Sequence, residues 1–316
     1  MRKKKISIIV PTYNQEVGIN ELFFRIIKNL KLIQAKYSYE IIFINDFSAD
    51  RTYEKLKNLA KKNKQIKVVN FSRNFGNQIA IAAGIDYCTG DLAIIIDDDL
   101  QDPPEVIIDL IDKYEQGFNV VYAIRRKRIG TSPLFRFIAY IYYRFINSLS
   151  QTYLPKDVGD FRLIDKSVIE SLRAFKEKNR YYRGLISWVG FKQVGVYYDR
   201  DARFSGNSNF TLKKYINFAV NGLTSFTEKP LYFAGILGLI ITLISFCFAF
   251  YIFYKRLTTP DYSIQGWTSI ALLVIFFGGI QLMCLGILSI YVSKIFQETK
   301  QRPLYLVQSL LNLRDH

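Results

Sequence analysis

The sequence predicts an α/β fold built on a doubly wound, largely parallel sheet, followed by two membrane-spanning helices. Through residues 6–123, apolar strand patterns alternate with amphipathic helix patterns at the spacing of such a sheet. A dense group of carboxylates follows the fourth strand pattern, at the end of the sheet where ligands bind. Residues 231–254 and 268–292 carry no formal charge, and crossing a hydrocarbon core of about 30 Å needs roughly 20 residues.

Five strands and four helices are predicted in the first part of the chain. The strands cover residues 6–10, 40–45, 66–71, 92–96 and 119–123. The helices cover residues 19–33, 51–63, 77–87 and 105–115. Neither the glycine-rich dinucleotide motif nor a Walker-type loop follows the first strand, so these two phosphate-binding motifs are excluded there.

The loop after the fourth strand contains three successive carboxylates, Asp97, Asp98 and Asp99. Residues 92–96 are apolar on both faces, which is typical of a parallel strand covered by helices. Like charges this close repel one another unless a cation lies among them, and oxygen ligands suit a hard ion such as Mg²⁺ or Mn²⁺. The alternative is a solvated acidic loop that caps the next helix.

Polar loops also follow the first two predicted strands. Pro11, Tyr13 and Glu16 follow the first strand, and Asp46 and Asp50 follow the second. Taken alone, Asp46 and Asp50 fit turn and N-cap positions equally well. Because the three loops follow strands expected to be neighbours, we predict a single site at this edge of the sheet.

The membrane predictions rest on three apolar segments. Residues 231–254 and 268–292 are predicted spans, because buried helices of a soluble protein rarely lack charge over such lengths. Residues 131–154 combine aromatic residues with arginines, which indicates interfacial helices; an amphipathic core helix is the alternative. Basic residues after the second span favour a cytoplasmic C-terminus. Glycines within the spans allow close helix contact and are compatible with a homo-oligomer.

Composition excludes several other classes of function. The 43 Lys and Arg against 27 Asp and Glu give a net charge of +16, which an anionic membrane surface explains without any nucleic-acid-binding motif. The single histidine is the last residue, so histidine catalysis and histidine metal sites are excluded. The three cysteines form neither a disulfide framework nor a metal-binding spacing. The apolar run after the basic N-terminus is too short for a signal peptide, which predicts a cytoplasmic N-terminal domain.

Several motifs together resemble the polyisoprenyl-phosphate glycosyltransferases of glycosyltransferase family 2, including dolichol-phosphate mannose synthases and bactoprenol glucosyltransferases. The matching strings, in chain order, are Pro11-Thr12-Tyr13-Asn14, Asn45-Asp46-x-Ser48-x-Asp50-x-Thr52, Ser72-Arg73-Asn74-Phe75-Gly76, Asp97-x-Asp99-Leu100-Gln101, Gly159-Asp160-Phe161-Arg162-Leu163, Arg203-x-x-Gly206-x-Ser208 and Arg302-Pro303-Leu304-Tyr305. The resemblance covers nearly the whole chain and implies a GT-A fold with interfacial helices and two C-terminal spans. The implied domains are 1–228, 229–294 and a cytoplasmic tail, 295–316.

The resemblance also implies roles for individual residues. Those expected to hold the nucleotide are Pro11, Tyr13, Glu16, Asp46 and Asp97, with the Asp46 carboxylate accepting from the base. The expected metal ligands are Asp97, Asp99 and Gln101, and the expected lipid-phosphate or diphosphate residues are Arg125, Arg136, Arg203 and Ser208. Asp99 and Asp160 are the expected catalytic carboxylates, although Asp160 could instead orient an arginine or the sugar.

The sequence departs from the pattern of this family at three places. Asp98 stands where alanine is common, and Phe47 stands where glycine is usual after Asp46. Asn209-Phe210 replaces the customary Lys-Tyr after Ser208, so lipid-phosphate binding in that segment depends on Arg203.

The expected reaction transfers a sugar from a nucleotide sugar to polyprenyl phosphate at the cytoplasmic face of a bacterial plasma membrane, with inversion. UDP-glucose is the first choice of donor and undecaprenyl phosphate the expected acceptor. A processive membrane polysaccharide synthase is an alternative, but its usual Gln-x-x-Arg-Trp motif is absent. The other alternative is a non-catalytic membrane scaffold with a glycosyltransferase fold.

Overall fold

A computed structural model describes residues 3–126, 158–178, 180–201, 229–258 and 266–313. The predicted interfacial helices, together with Arg136, Arg203 and Ser208, lie outside these residues. The chain divides into two compact units. The first contains Met1–Asn217 and Arg302–His316, and the second contains Phe218–Gln301.

Strands and helices alternate through most of the first unit. The strands are β1 (Lys4–Thr12), β2 (Tyr37–Asn45), β3 (Ile66–Phe71), β4 (Leu92–Ile95), β5 (Val120–Arg125), β6 (Val158–Asp165), β7 (Gln193–Tyr198) and β8 (Val307–Leu311). The helices are α1 (Ile19–Ile33), α2 (Thr52–Lys62), α3 (Asn77–Tyr87), α4 (Val106–Glu115), α5 (Lys166–Ala174) and α6 (Tyr182–Trp188). All five predicted strands and all four predicted helices are present, with small differences at their ends.

The eight strands form one mixed sheet in the order β7-β5-β6-β4-β1-β2-β3-β8. The α/β class is therefore confirmed. Strands β4, β1, β2 and β3 run parallel, as the sequence predicts. The sheet is less uniformly parallel than predicted, because β6 lies antiparallel between β4 and β5, and β8 is antiparallel to β3. Strand β1 pairs with both β2 and β4, as expected, so the carboxyl ends of these three parallel strands meet at one edge.

Two apolar cores cover the two faces of the sheet. Helix α1 is amphipathic and buries Leu22, Ile26 and Leu30 on one face. Helix α3 lies on the other face, and Gly84 allows its close approach to β1. A Cβ atom at position 84 would lie only 2.1 Å from Cγ2 of Ile9, so this contact requires glycine.

The C-terminal segment completes the first unit. Strand β8 pairs with β3, and the ring of Tyr305 stacks on Phe71 with a centroid distance of 5.1 Å. The hydroxyl group of Tyr305 donates to Asp86 at 3.0 Å. The sequence predicts residues 295–316 as a cytoplasmic C-terminal tail, and this boundary stays a prediction; within it, Val307–Leu311 forms the edge strand β8.

The second unit contains two long helices, α7 (Lys229–Thr258) and α8 (Trp267–Thr299). Among the described residues, Phe276–Thr299 is long and apolar enough to cross a membrane. Ala234–Phe248 in α7 is a shorter apolar stretch.

Candidate active site

The loops that follow β1, β2 and β4 are joined by hydrogen bonds. Asn14 N donates to Ser48 Oγ at 3.0 Å, and Asn14 Oδ1 accepts from Ala49 N at 2.8 Å. Tyr13 N donates to Asp98 Oδ2 at 3.0 Å, which connects the first loop to the acidic loop. The three loops thus form one edge, and the side chain of Tyr13 remains 51% exposed there.

Each of these loops contains a non-glycine residue in the left-handed backbone region. The φ angles are 51° at Asn14, 59° at Phe47 and 58° at Leu100. Such conformations are rare for phenylalanine and leucine, and they concentrate at binding and catalytic sites. Phe47 therefore adopts a left-handed backbone conformation directly after Asp46.

Asp46 is buried and holds the loop that precedes α3. Its Oδ1 accepts from Phe75 N at 2.7 Å, and its Oδ2 accepts from Gly76 N at 2.9 Å. Burial raises the pKa of Asp46 above its usual range, although these two amide hydrogen bonds act in the opposite direction. Each carboxylate oxygen can accept a second hydrogen bond, so the expected contact with a nucleoside base stays a prediction.

Pro11 and Glu16 occupy different environments. Pro11 is buried near the carboxyl end of β1, opposite Ile44 of β2. Glu16 lies in the loop between β1 and α1, and its Oε2 accepts from Arg51 N, just before α2, at 3.1 Å. Its own backbone N–H donates to Asp50 Oδ2 at 3.0 Å. These contacts give Glu16 and Asp50 a structural role at the beginning of α2, and the nucleotide role of Glu16 stays a prediction.

The acidic loop after β4 carries strongly perturbed carboxyl groups. Burial and the nearby charge of Asp160 raise the pKa of Asp97 to about 7. Burial raises the pKa of Asp98 to about 8, against the opposing hydrogen bond from Tyr13 N. Asp99 Oδ1 accepts from Gln101 N at 3.1 Å. Carboxylates so placed favour an added cation, because it would offset both their repulsion and their desolvation.

The donor set of this loop fits a hard divalent cation. The candidate ligands Asp97, Asp99 and Gln101 offer only oxygen atoms, which Mg²⁺ and Mn²⁺ prefer. Within the described ranges, no group of three or more His, Cys, Asp or Glu side chains forms a metal site by itself. A metal held here would therefore need oxygen ligands from Gln101, substrate or water, which is typical of Mg²⁺ sites that bind phosphates.

Asp102 directly follows the acidic loop, is fully buried, and is the centre of a network of ion pairs and hydrogen bonds. Arg125 Nη2 lies 3.4 Å from Asp102 Oδ2, and Arg200 Nε lies 3.3 Å from Asp102 Oδ1. Tyr198 donates its hydroxyl proton to Asp102 and accepts from Arg125 Nε at 3.1 Å. The structure thus engages Arg125, a predicted phosphate-binding residue, with Asp102 and Tyr198. Its guanidinium also packs on Gly159, where an added Cβ would lie 2.6 Å from Nη2.

Asp160 in β6 is buried against Arg183 of α6. Arg183 Nε donates to Asp160 Oδ1 at 2.8 Å, and Arg183 Nη2 donates to Oδ2 at 3.0 Å. Gln78 Nε2 donates to the same Oδ2 at 3.2 Å. Burial alone would raise the pKa of Asp160, but the charge and hydrogen bonds of Arg183, with the charges of Arg162 and Arg125, hold the pKa below its usual range. Asp160 is therefore an ionised, paired carboxylate.

Asn77 Nδ2 lies 3.5 Å from Asp97 Oδ1, the adjacent Gln78 donates to Asp160, and the charge of Asp160 raises the pKa of Asp97, so the acidic loop and the β6 pair lie in one region. The sequence does not assign a role to Gln78, Asp102 or Arg183. Arg183 belongs to the string Arg-Tyr-Tyr-Arg-Gly at residues 180–184, and this cluster of arginine and tyrosine is the feature of the sequence that could have indicated a functional role.

The sequence matches Glycosyl transferase family 2 over residues 7–173. An uncharacterized glycosyltransferase of Bacillus subtilis (strain 168), YkcC, is 42% identical over 307 residues, which cover 97% of this chain and 94% of YkcC. The bactoprenol glucosyl transferase of Shigella phage SfX is 37% identical over 96% of this chain and 99% of its own length. The solved structure of mannosyltransferase PcManGT from Pyrobaculum calidifontis, in complex with GDP-Man and Mn²⁺, has a TM-score of 0.47 and 15% identity, covering 66% of this chain and 59% of that chain.

Proposed function

The chain belongs to glycosyltransferase family 2, and from this premise we propose that it transfers glucose from UDP-glucose to a polyprenyl phosphate at a membrane. Undecaprenyl phosphate is the proposed acceptor. The chief support is similarity along nearly the full length to proteins named bactoprenol glucosyl transferase, including those of Shigella phages SfX and SfV at 37% and 36% identity. The motif resemblance found in the sequence is thereby confirmed, and the chain is a glycosyltransferase.

The acidic loop supports this reaction because its oxygen atoms could hold the cation that stabilises the leaving diphosphate. In the proposed reaction, an acceptor phosphate oxygen forms a bond to the anomeric carbon, the bond to the UDP oxygen breaks, and UDP leaves from the opposite face. This single displacement inverts the anomeric configuration. A divalent cation held by Asp97, Asp99 and Gln101 would stabilise negative charge on the departing diphosphate.

The acceptor needs little help to become a nucleophile. The second pKa of a phosphate monoester is about 6, so most acceptor molecules are already dianionic at neutral pH. The paired, ionised state of Asp160 agrees with a mechanism that does not require a strong general base. Orientation and charge stabilisation then account for most of the catalysis.

The return of the chain to the sheet supports two membrane crossings. Residues on both sides of the second unit belong to the first unit, and β8 is hydrogen-bonded to β3. A chain that leaves a folded unit and returns to it on the same side of a membrane must cross an even number of times. A single crossing by α8 does not meet this condition, which supports crossings by both α7 and α8. The basic residues after the second span support placing the first unit in the cytoplasm. A homo-oligomer also remains part of the proposal.

The decisive test measures sugar transfer by purified protein in detergent or by membranes that contain it. UDP-glucose, other UDP-sugars and GDP-mannose are supplied with and without undecaprenyl phosphate, in Mg²⁺ or Mn²⁺. We expect UDP release with UDP-glucose only when both lipid and metal are present. Release with another donor would correct the sugar, and products of many sugar units would favour a processive synthase. Folded protein that binds no nucleotide diphosphate with metal would support the scaffold alternative.

A further inference from the structure

Both carboxylate oxygens of Asp160 accept hydrogen bonds, one at Oδ1 and two at Oδ2. Arg183 donates to them through two parallel N–H groups at 2.8 and 3.0 Å, and Gln78 donates at 3.2 Å. Such a bidentate pair stabilises the ionised carboxylate and makes it a weak proton acceptor. A general base would need a lone pair directed at the acceptor, and a proton on Asp160 would disrupt the pair with Arg183.

Arg183, by contrast, retains donors for a ligand. A guanidinium group has five N–H donors, and the pair with Asp160 uses two of them. In the part of the chain that the structure describes, no other acceptor receives a hydrogen bond from this side chain, which is 27% exposed. Asn77 Nδ2 lies 3.5 Å from Asp97 Oδ1, and the next residue, Gln78, donates to the carboxylate that Arg183 holds, so the guanidinium lies near the acidic loop.

Gln78 contacts Asp160 and the residue that precedes Arg183. Its Nε2 donates to Asp160, while its Oε1 accepts from Tyr182 N at 2.9 Å, one residue before Arg183. Gln78 lies in the first turn of α3, directly after the loop that Asp46 holds. The side chain of Gln78 therefore connects the start of α3 to β6 and to the start of α6.

We propose that Arg183 binds a phosphate oxyanion of the reactants, and that Asp160 and Gln78 are positioning residues that orient its guanidinium. This inference rests on the proposed function, because it requires a phosphate-bearing substrate. The oxyanion belongs either to the acceptor phosphate or to the donor diphosphate. A planar guanidinium fits either one, since two N–H groups can pair with two phosphate oxygens.

A double-mutant cycle distinguishes positioning from base catalysis. Asp160→Asn and Arg183→Gln are each expected to lower kcat/KM by about 100-fold. If Asp160 acts through Arg183, the double variant should lose little more than Arg183→Gln alone, within about threefold. A loss of about 10,000-fold in the double variant would show two independent contributions and overturn the positioning role.

Two binding measurements identify the source of the oxyanion. If Arg183 holds the acceptor, Arg183→Gln should raise KM for undecaprenyl phosphate at least about tenfold and leave UDP affinity unchanged. If Arg183 holds the donor, UDP affinity should fall and the lipid KM should remain. Unchanged values for both would overturn phosphate binding by Arg183.

Controls separate this inference from folding and from the proposed function. Arg25→Gln breaks a partly exposed arginine pair with Glu105 and should keep transfer within about twofold of wild type. Thermal unfolding identifies variants that do not fold, and if Asp160→Asn is one of them, Gln78→Ala replaces it in the cycle. An inactive wild-type protein would contradict the proposed function, whereas an active wild type with independent mutational effects would contradict only this inference.

Discussion

The two ends of the central sheet shift the pKa values of their carboxyl groups in opposite directions. Toward the amino ends of its strands, Glu40 lies 2.5 Å from Lys5 Nζ and 2.7 Å from Lys67 Nζ. Burial alone would raise the pKa of Glu40, but these two lysines lower it to about 2. At the carboxyl ends, burial and neighbouring carboxylates raise the pKa of Asp97 to about 7, and burial raises that of Asp98 to about 8.

The opposite pKa shifts indicate which end of the sheet has its carboxylates fully paired within the protein. Ser7 and Thr89 also donate to Glu40, so that carboxylate has both charge partners and hydrogen bonds from the protein itself. The acidic loop instead places like charges together and gains from an added cation. We therefore predict that carboxylates stabilise the fold at one end of the sheet and bind a cation at the other.

Among these variants, Asp99→Asn, at the carboxyl ends of the strands, is expected to change activity the most. Loss of a metal ligand should lower transfer by about 1,000-fold, because less charge on the departing diphosphate is stabilised. Stabilisation of the protein by Mn²⁺, measured as a shift in thermal unfolding, should also be lost. Glu40→Gln is the comparison variant, and its folded fraction should retain metal binding and transfer. Equal loss of transfer in both variants would contradict the assignment of separate roles.

Glu40→Gln should have its main effect on stability. Removal of this carboxylate leaves Lys5 and Lys67 without their shared partner, and the free energy of unfolding should fall by about 3 kcal/mol. Chemical denaturation of the protein in detergent measures the change. Glu170→Gln is a matched control, because its pair with Lys166 is exposed and should contribute less than about 0.5 kcal/mol. Similar losses in the two variants would contradict the special role of the buried cluster.

The same carboxylate predicts how stability depends on pH. The folded-state pKa of Glu40, about 2, lies below the ordinary value of 4.5. Its contribution is therefore complete above about pH 4.5 and is lost as pH falls toward 2, with a total of at most about 3 kcal/mol. Denaturation curves of wild type and Glu40→Gln should converge across this window. A constant difference between them down to pH 2 would contradict the lowered pKa.

The sequence predicts the parallel half of the sheet well because its signals are local. Strands β1 to β4 are apolar runs, and α1 and α3 begin and end at the predicted residues. The antiparallel insertion of β6 and the return of β8 depend on pairing between distant segments, which no local pattern records. The acidic loop, like the parallel strands, can be predicted from the sequence because its signal lies in adjacent residues.

The site residues that the sequence misses all act through distant partners. Arg183 and Gln78 acquire their roles only by meeting Asp160, which lies 23 and 82 positions away along the chain. Asp102 is adjacent to the predicted metal loop, but its role depends on Arg125, 23 residues later. Motif resemblance locates one member of each pair, and only the folded structure identifies the other.

The smallest expected effect concerns backbone strain at the carboxyl end. Phe47 has a φ of 59°, and relief of left-handed strain by Phe47→Gly is worth about 1 kcal/mol. Glycine also gains freedom in the unfolded chain, about 0.5–1 kcal/mol, so the net change in stability should lie within about 0.5 kcal/mol of zero. Phe47→Ala is the matched control, because it removes the ring and keeps the strain. If UDP affinity falls equally in both variants, the 49% exposed ring contributes to binding; a loss only in Phe47→Gly would assign the effect to backbone rigidity.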